Sequence, residues 1–260
     1  MVNQNTSTQQ SAQTRPGDRI AKVLSRAGVC SRRDAERLIE ERRVTVDGDV
    51  VLTPASNVTP VQIITVDGKK VPQREETRLW KYHKPQGQVT THRDPQKRQT
   101  VFDKLPAAMP RVISVGRLDI NSEGLLLLTN DGGLSRFLEL PSTGWVRRYR
   151  VRLLGKVDQS DLDPLKKGIT VDGVKYGAID AKVDRAKGAN AWLTVTLREG
   201  KNREIRRVME HLGFRVNRLI RTSYGPFQLG KLAAGDVEEI SQKVLNEQVG
   251  SFLRASESKG

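Results

Sequence analysis

The sequence predicts an α+β chain: a small helix–turn–helix–hairpin module, then a larger domain on a mixed, largely antiparallel sheet. Two observations carry this. The apolar spacing changes from a helical period to a strand period between Ile20 and Val46. Beyond Leu79, short apolar runs alternate irregularly with helical stretches and are separated by glycine and proline. That pattern lacks the regular strand–helix repeat of a doubly wound sheet.

Residues 1–16 are almost wholly polar and are expected to form a disordered tail. Ile20, Val23, Leu24 and Ala27 share one helical face, and Gly28 is placed to end that helix. Ser31 is a candidate cap for a second helix, with Asp34 three residues on, and Ala35, Leu38 and Ile39 supply its apolar face. Val44 and Val46 then alternate with Thr45 before Asp47-Gly48, a dipeptide suited to a hairpin turn that needs positive φ at both centres. Val61, Ile63 and Thr65 form a further strand candidate before Asp67-Gly68. The expected organisation is a module over 17–68, a linker over 69–78, a larger domain over 79–253 and a tail over 254–260. In the larger domain, strands are expected at Val112–Val115, Leu125–Thr129, Tyr149–Leu154 and Trp192–Leu197, and helices at Leu134–Leu140, Gln159–Lys167 and Asn202–His211.

Composition limits the function. Lys and Arg total 45 against 30 Asp and Glu, a net charge of +15, and the arginines cluster, which points to a polyanionic partner. No apolar run approaches the roughly 20 residues needed to cross a bilayer, and the first residues lack the charge and apolar core of a signal peptide. One cysteine, Cys30, excludes an intrachain disulfide and a multi-cysteine metal site. A cytoplasmic protein without membrane contact is expected. Phosphate loops, dinucleotide fingerprints, nucleophile elbows and zinc-protease motifs are all missing. His83, His92 and His211 form neither a metal pair nor part of a triad. An enzyme of this sequence is therefore expected to use no metal and no organic cofactor, and to work with carboxylate, basic and tyrosyl groups.

Between Asp18 and Arg43 stand eight basic and five acidic residues, with Arg33 and Arg37 one turn apart on a helix. The run Ser31-Arg32-Arg33-Asp34-Ala35-Glu36-Arg37-Leu38-Ile39 with Arg43-Val44-Thr45-Val46-Asp47-Gly48 resembles the small RNA-binding domain first described in small-subunit ribosomal protein four. That resemblance covers about 18–66 and implies RNA contact by Arg32, Arg33, Arg37 and Arg43.

The most distinctive segment runs from Val115 to Gly132. A buried strand feeds a polar loop holding Asp119 and Glu123, bracketed by Gly116 and Gly124, and four leucines follow. A loop fixed between two strands suits a catalytic group, whereas an ordinary hairpin would pair Asp119 with Arg117. Gly116-Arg117-Leu118-Asp119 with Asn121-Ser122-Glu123-Gly124-Leu125-Leu126-Leu127-Leu128-Thr129-Asn130-Asp131-Gly132 resembles the signature of the RNA pseudouridine synthases, in the subgroup acting on bacterial ribosomal RNA. Three further segments resemble the family in order: Arg148-Tyr149-Arg150-Val151, Glu199 to Arg207, and Arg218-Leu219-Ile220-Arg221 with Gly225. Arg147-Arg148 depart from the Glu-Lys or Glu-Arg that many relatives carry before the tyrosine.

The resemblance implies Asp119 as catalytic nucleophile, Tyr149 as the ring that stacks on a flipped uracil, and Arg206 as the partner of Asp119. It implies Leu219 as an apolar pocket wall and adds Arg117, Lys201 and Arg203 as substrate contacts. Whether Asp119 attacks the sugar, attacks the base or removes a sugar proton is open at this level. Eight basic side chains in 198–221 and four arginines in 145–152 are expected to contact phosphates. The resemblance is strongest to enzymes of large-subunit RNA. The alternatives are a small-subunit enzyme or a non-catalytic assembly factor, against which the joint presence of Asp119, Tyr149 and Arg206 argues. The expected partner is ribosomal RNA, bound by a monomer, either free or in a subunit precursor.

Overall fold

The computed structural model describes residues 17–73, 75–187 and 190–257, with the side chains at 186–187 and 256–257 excepted. The expected tail at 1–16 lies outside the described residues, as do 258–260. The chain divides into two compact units, Met1–Glu75 with Leu253–Gly260, and Glu76–Phe252.

In the first unit, β1 (Asp18–Arg19) leads into α1 (Ile20–Arg26) and α2 (Arg32–Glu40). Gly28 adopts φ 74° in the turn between the helices. The Ser31 hydroxyl accepts the Asp34 N–H at 3.1 Å and donates to the Asp34 carboxylate at 2.7 Å, so the cap closes through the two side chains. Both helices bury their apolar stripes, Ile20 and Leu24 from one and Ala35, Leu38 and Ile39 from the other, against Val44, Val51, Val58 and Ile64. A four-stranded sheet follows in the order β3 (Asp49–Val50), β2 (Val44–Val46), β5 (Ile64–Val66), β6 (Lys69–Lys70), while β4 (Asn57–Val58) pairs with β1.

Two expectations change here. The strand anticipated from Val61 starts only at Ile64, and Val61 is 88% exposed. The reason is local: Asp47 accepts the Ile63 N–H at 2.8 Å and the Gln62 amide at 3.0 Å, which holds 59–63 as a turn. The linker is shorter than 69–78, because Lys69–Lys70 is paired in β6, while Thr77 and Arg78 bond to Asp131 and Asn130 of the second unit.

The second unit is built on one nine-stranded sheet. Its main order is β13 (Asp180–Lys187), β14 (Asn190–Leu197), β10 (Arg147–Leu154), β15 (Arg215–Tyr224), β9 (Glu123–Thr129), β7 (Leu79–Lys84), β17 (Val237–Glu239). Strand β8 (Ile113–Val115) adds to β9, and β16 (Phe227–Gln228) adds to β15. Among these pairings only β15 with β9 is parallel, giving the mixed, largely antiparallel sheet expected. The four leucines of β9 are fully buried, as a strand covered on both faces requires.

Helices α3 (Gly132–Glu139), α4 (Gln159–Leu162) and α5 (Glu204–His211) and the hairpin β11 (Ile169–Val171), β12 (Val174–Tyr176) complete the unit, with α6 (Gln242–Glu257) closing the described chain. The anticipated helix over Gln159–Lys167 is one turn of α-helix followed by a tighter 3₁₀ stretch, since Pro164 denies a helical donor. The expected tail at 254–260 is helical as far as Glu257.

Gly124 explains the parallel pairing. It sits at φ 101°, and a Cβ there would collide with the main chain of Arg221. Only glycine lets β15 approach β9 that closely, and that approach brings Leu219 and Arg221 beside the Asp119 loop.

Candidate active site

Strand alternation sends Arg147, Tyr149 and Val151 to one face of β10 and Arg148, Arg150 and Arg152 to the other. An extra residue on β15, Thr222, lets Tyr149 face Arg221 while Val151 faces Leu219. Tyr149, Leu219 and Arg221 therefore share a buried face, which forms one wall of a cavity of about 670 Å³. The Arg117–Asp119 loop and the segment Arg198–Ile205 form the other walls.

Asp119 is held by its backbone. The Leu118 carbonyl accepts from the Thr90 hydroxyl at 2.9 Å, and the Asp119 carbonyl from the Ser122 N–H at 2.9 Å. The Ile120 carbonyl accepts from the Gly87 N–H at 2.8 Å, the Asn121 carbonyl from Arg206 Nη2 at 2.7 Å, and the Ser122 carbonyl from Lys84 Nζ at 2.9 Å. Five consecutive carbonyls thus each accept a hydrogen bond, so the loop has little freedom to shift. Lys84 is fully buried to make its bond; burial lowers its pKa to about 8, against the opposing pull of Asp119 and Glu123.

The carboxylate itself is one-third exposed, and Arg203 Nη1 lies 3.7 Å from Oδ2. Neither expected pairing is present. Arg117 is exposed on the cavity rim and makes no ion pair with Asp119. Arg206 is turned away from the cavity, bonding the Asn121 and Val216 carbonyls. The cause is local backbone: Arg203 is the N-cap of α5, in a left-handed conformation (φ 51°), so its side chain leaves the helix end in a different direction from that of Arg206 in the first turn. Lys201 lines the cavity, but its ammonium is engaged by Glu199 at 2.6 Å and the Lys175 carbonyl at 2.7 Å.

Several further groups are placed at or beside the cavity. Arg147 is buried, stacked over Tyr224 with 4.6 Å between guanidinium and ring centre, and bonded to the Tyr224 hydroxyl at 2.8 Å. It is therefore committed to the cavity wall and differs in role from the other arginines of 145–152. Arg221 donates to the Leu125 carbonyl at 2.7 Å, and its Nη2 has no acceptor among the described residues. Period-two spacing from Leu219 would have placed it on the same face. Glu204 is buried, accepting the Lys201 N–H at 2.8 Å, and burial pushes its carboxyl up to about 7 against that bond, with Glu199 adding repulsion. Glu123, read as a second loop carboxylate, is the first residue of β9 and is clamped by Arg218 at 3.0 and 2.8 Å.

In the first unit, Arg32 and Arg33 are exposed and make no side-chain bond among the described residues. Arg37 pairs with Asp34 at 3.4 Å and Glu41 at 3.7 Å. Arg43 is bound in a two-point contact to Asp67, both bonds 2.7 Å, and to Glu41. The described residues contain no His, Cys, Asp and Glu cluster placed to hold a metal, and no helix long and apolar enough to cross a membrane.

The profile of the RNA pseudouridylate synthases matches residues 78–211, and that of the S4 domain matches 18–64. A Rickettsia felis protein described as an uncharacterized RNA pseudouridine synthase is 50% identical over 232 residues, 88% of this chain and 99% of that protein. The chain belongs to the RNA pseudouridine synthase family. The synthase is also 44% identical over 237 residues to the ribosomal large subunit pseudouridine synthase B of Pasteurella multocida, covering 88% of this chain and 69% of that one. A solved pseudouridylate synthase shares its fold, with a TM-score of 0.64 at 23% identity over 88% of this chain and 99% of that chain. Its S4 domain occupies the first unit and the synthase fold the second.

Proposed function

We propose that the synthase isomerises uridine to pseudouridine at chosen sites in large-subunit ribosomal RNA, with Asp119 as the nucleophile. The observation that carries this reading is the convergence of Asp119, Tyr149 and Leu219 on one cavity. The 44% identity to a large-subunit enzyme supports the choice of RNA.

The reaction breaks the N1–C1′ bond, turns the detached uracil, and joins C5 to C1′; the proton leaving C5 is balanced by one gained at N1. The base must first leave its stack, which costs a few kcal/mol. Tyr149 offsets part of that cost, since stacking on an aromatic ring contributes about 1–3 kcal/mol per base, and Leu219 closes the apolar side. Asp119 is presented at fixed position by its hydrogen-bonded loop, with Arg203 as the cation nearest its carboxylate. Arg206 acts as a positioning residue through Asn121. Arg117 on the rim and the exposed Arg32 and Arg33 of the S4 domain supply phosphate contacts, which orient RNA without reading sequence.

The test is pseudouridine mapping on ribosomal RNA from a strain lacking the gene, repeated after supplying purified enzyme. Wild-type enzyme should restore discrete sites in large-subunit RNA, and Asp119→Asn should restore none while binding RNA within several-fold of wild type. Restored sites confined to small-subunit RNA would overturn the substrate assignment, and wild-type turnover by Asp119→Asn would overturn the mechanism.

A further inference from the structure

We propose that an arginine-lined groove beside the Asp119 cavity binds the phosphodiester of a nucleotide flanking the target uridine, with Phe214 as its apolar floor. The inference rests on the RNA substrate proposed above.

The groove has a volume of about 380 Å³, within the roughly 300–1,000 Å³ range of small-ligand sites. The end of α5 builds it. Gly213 takes φ 84°, and the Phe214 N–H returns to the Met209 carbonyl at 2.8 Å, so the chain reverses and sets Arg215 opposite the helix. Arg203, Arg206 and Arg215 line the groove against one carboxylate, Glu210.

Arg203 faces the Asp119 carboxylate at 3.7 Å, while the other two arginines have no carboxylate partner among the described residues. Arg206 gives its two bonds to uncharged carbonyls and makes no ion pair among the described residues, and its buried Nε has no acceptor among them. Arg215 is exposed and makes no side-chain bond among the described residues, and Glu210 makes no ion pair. Guanidinium groups present several donors in a plane and match a phosphate's oxygens. Arg206 and Arg215, neither ion-paired among the described residues, stand beside a half-buried aromatic ring and are suited to a nucleotide.

Position identifies which nucleotide. Arg203 lines both the groove and the main cavity and is the cation nearest Asp119. A strand whose target uridine occupies the cavity would have to pass Arg203 to leave in this direction, which places the next phosphates over Arg206 and Arg215.

The experiment uses the full chain and an RNA that the wild type modifies. Filter binding is measured at several salt concentrations for Arg215→Ala, Arg215→Glu and Glu210→Gln, with single-turnover rates at saturating enzyme. Arg215→Ala should weaken binding several-fold and make the log–log salt slope shallower by about 0.7–0.9, one phosphate contact. Arg215→Glu should weaken it further, Glu210→Gln should tighten it, and all three should keep the wild-type single-turnover rate. Uridine oligonucleotides extended by single nucleotides should gain affinity on one side of the target only, and Arg215→Ala should remove that gain. Inorganic phosphate, as a competitor, should displace RNA no better from wild type than sodium chloride of equal ionic strength. Wild-type binding and slope in both Arg215 variants would overturn the groove, as would a loss confined to the single-turnover rate. Stronger competition by phosphate than by that salt would also overturn it, making the groove a free-anion site. Absence of pseudouridine with the wild type would instead overturn the RNA-isomerase reading.

Discussion

Arg206 donates to the main-chain carbonyl of Asn121 at 2.7 Å, across 85 positions of sequence, and leaves the Asp119 carboxylate to Arg203. The arginine of the Ile-Arg motif thus fixes the loop that carries Asp119, while its guanidinium lies outside the main cavity. This is a division of labour between two cations at the N-terminal end of α5: one sets where Asp119 is, the other what it faces.

Arg206→Ala should therefore lower the single-turnover rate at saturating enzyme by about 10–100-fold, because a displacement of about 1 Å in a reacting group can cost a hundredfold. Arg206→Lys, which reaches one carbonyl, should recover part of that loss. Wild-type rates in Arg206→Ala would mean that the other four carbonyl bonds suffice to hold the loop.

Glu204 makes stability depend on pH in a defined direction. Burial raises its carboxyl to about 7 in the folded chain, from an ordinary value near 4.5. Between those values the folded state keeps a proton that the unfolded state has released, so stability falls as pH rises from about 4.5 to 7 and then levels. Glu204→Gln carries no such proton. The difference in Tm between variant and wild type, followed from pH 5 to 8, should shift in favour of the variant as pH rises. Parallel curves would exclude the effect.

Gly124→Ala should destabilise the second unit by about 2–4 kcal/mol, since it combines a strained positive φ with a collision against the main chain of Arg221. Thermal unfolding reads the loss. Separation of β15 from β9 would also shift Leu219 and Arg221, so the folded variant should turn over slowly. A variant with unchanged Tm would show that the two strands can part at no cost.

Within the S4 domain, the exposed arginines should divide into two kinds. Arg33→Ala should weaken RNA binding and make the salt slope shallower by about one contact, because its charge has no partner among the described residues. Arg43→Ala should leave the slope nearly unchanged, since Arg43 is already committed to Asp67 and Glu41. Equal slopes for the two variants would refute this distinction.

Much of this architecture was legible in the residues. The Ser31 cap, the Asp47-Gly48 turn, the buried leucines of β9 and the loop carrying Asp119 all follow from local signals, namely spacing, turn chemistry and apolar runs, which act over a few positions. Even the split of Arg147 from Arg148 was implicit in a period of two. What lay beyond reach was set by contacts between distant segments. The strand at Val61 was lost to a turn that Asp47, 16 positions before Ile63, imposes by hydrogen bonding. Glu123 was claimed by Arg218, 95 positions away. The choice of Arg203 over Arg206 depends on how α5 is rotated against the sheet. The sequence alone determined which chemical groups were available and most of the segments that are strands or helices, because these depend chiefly on neighbours along the chain. Only the tertiary structure decided which of several equivalent cations faces Asp119, because the packing of α5 and the left-handed turn at Arg203 that opens it fix where each guanidinium lies.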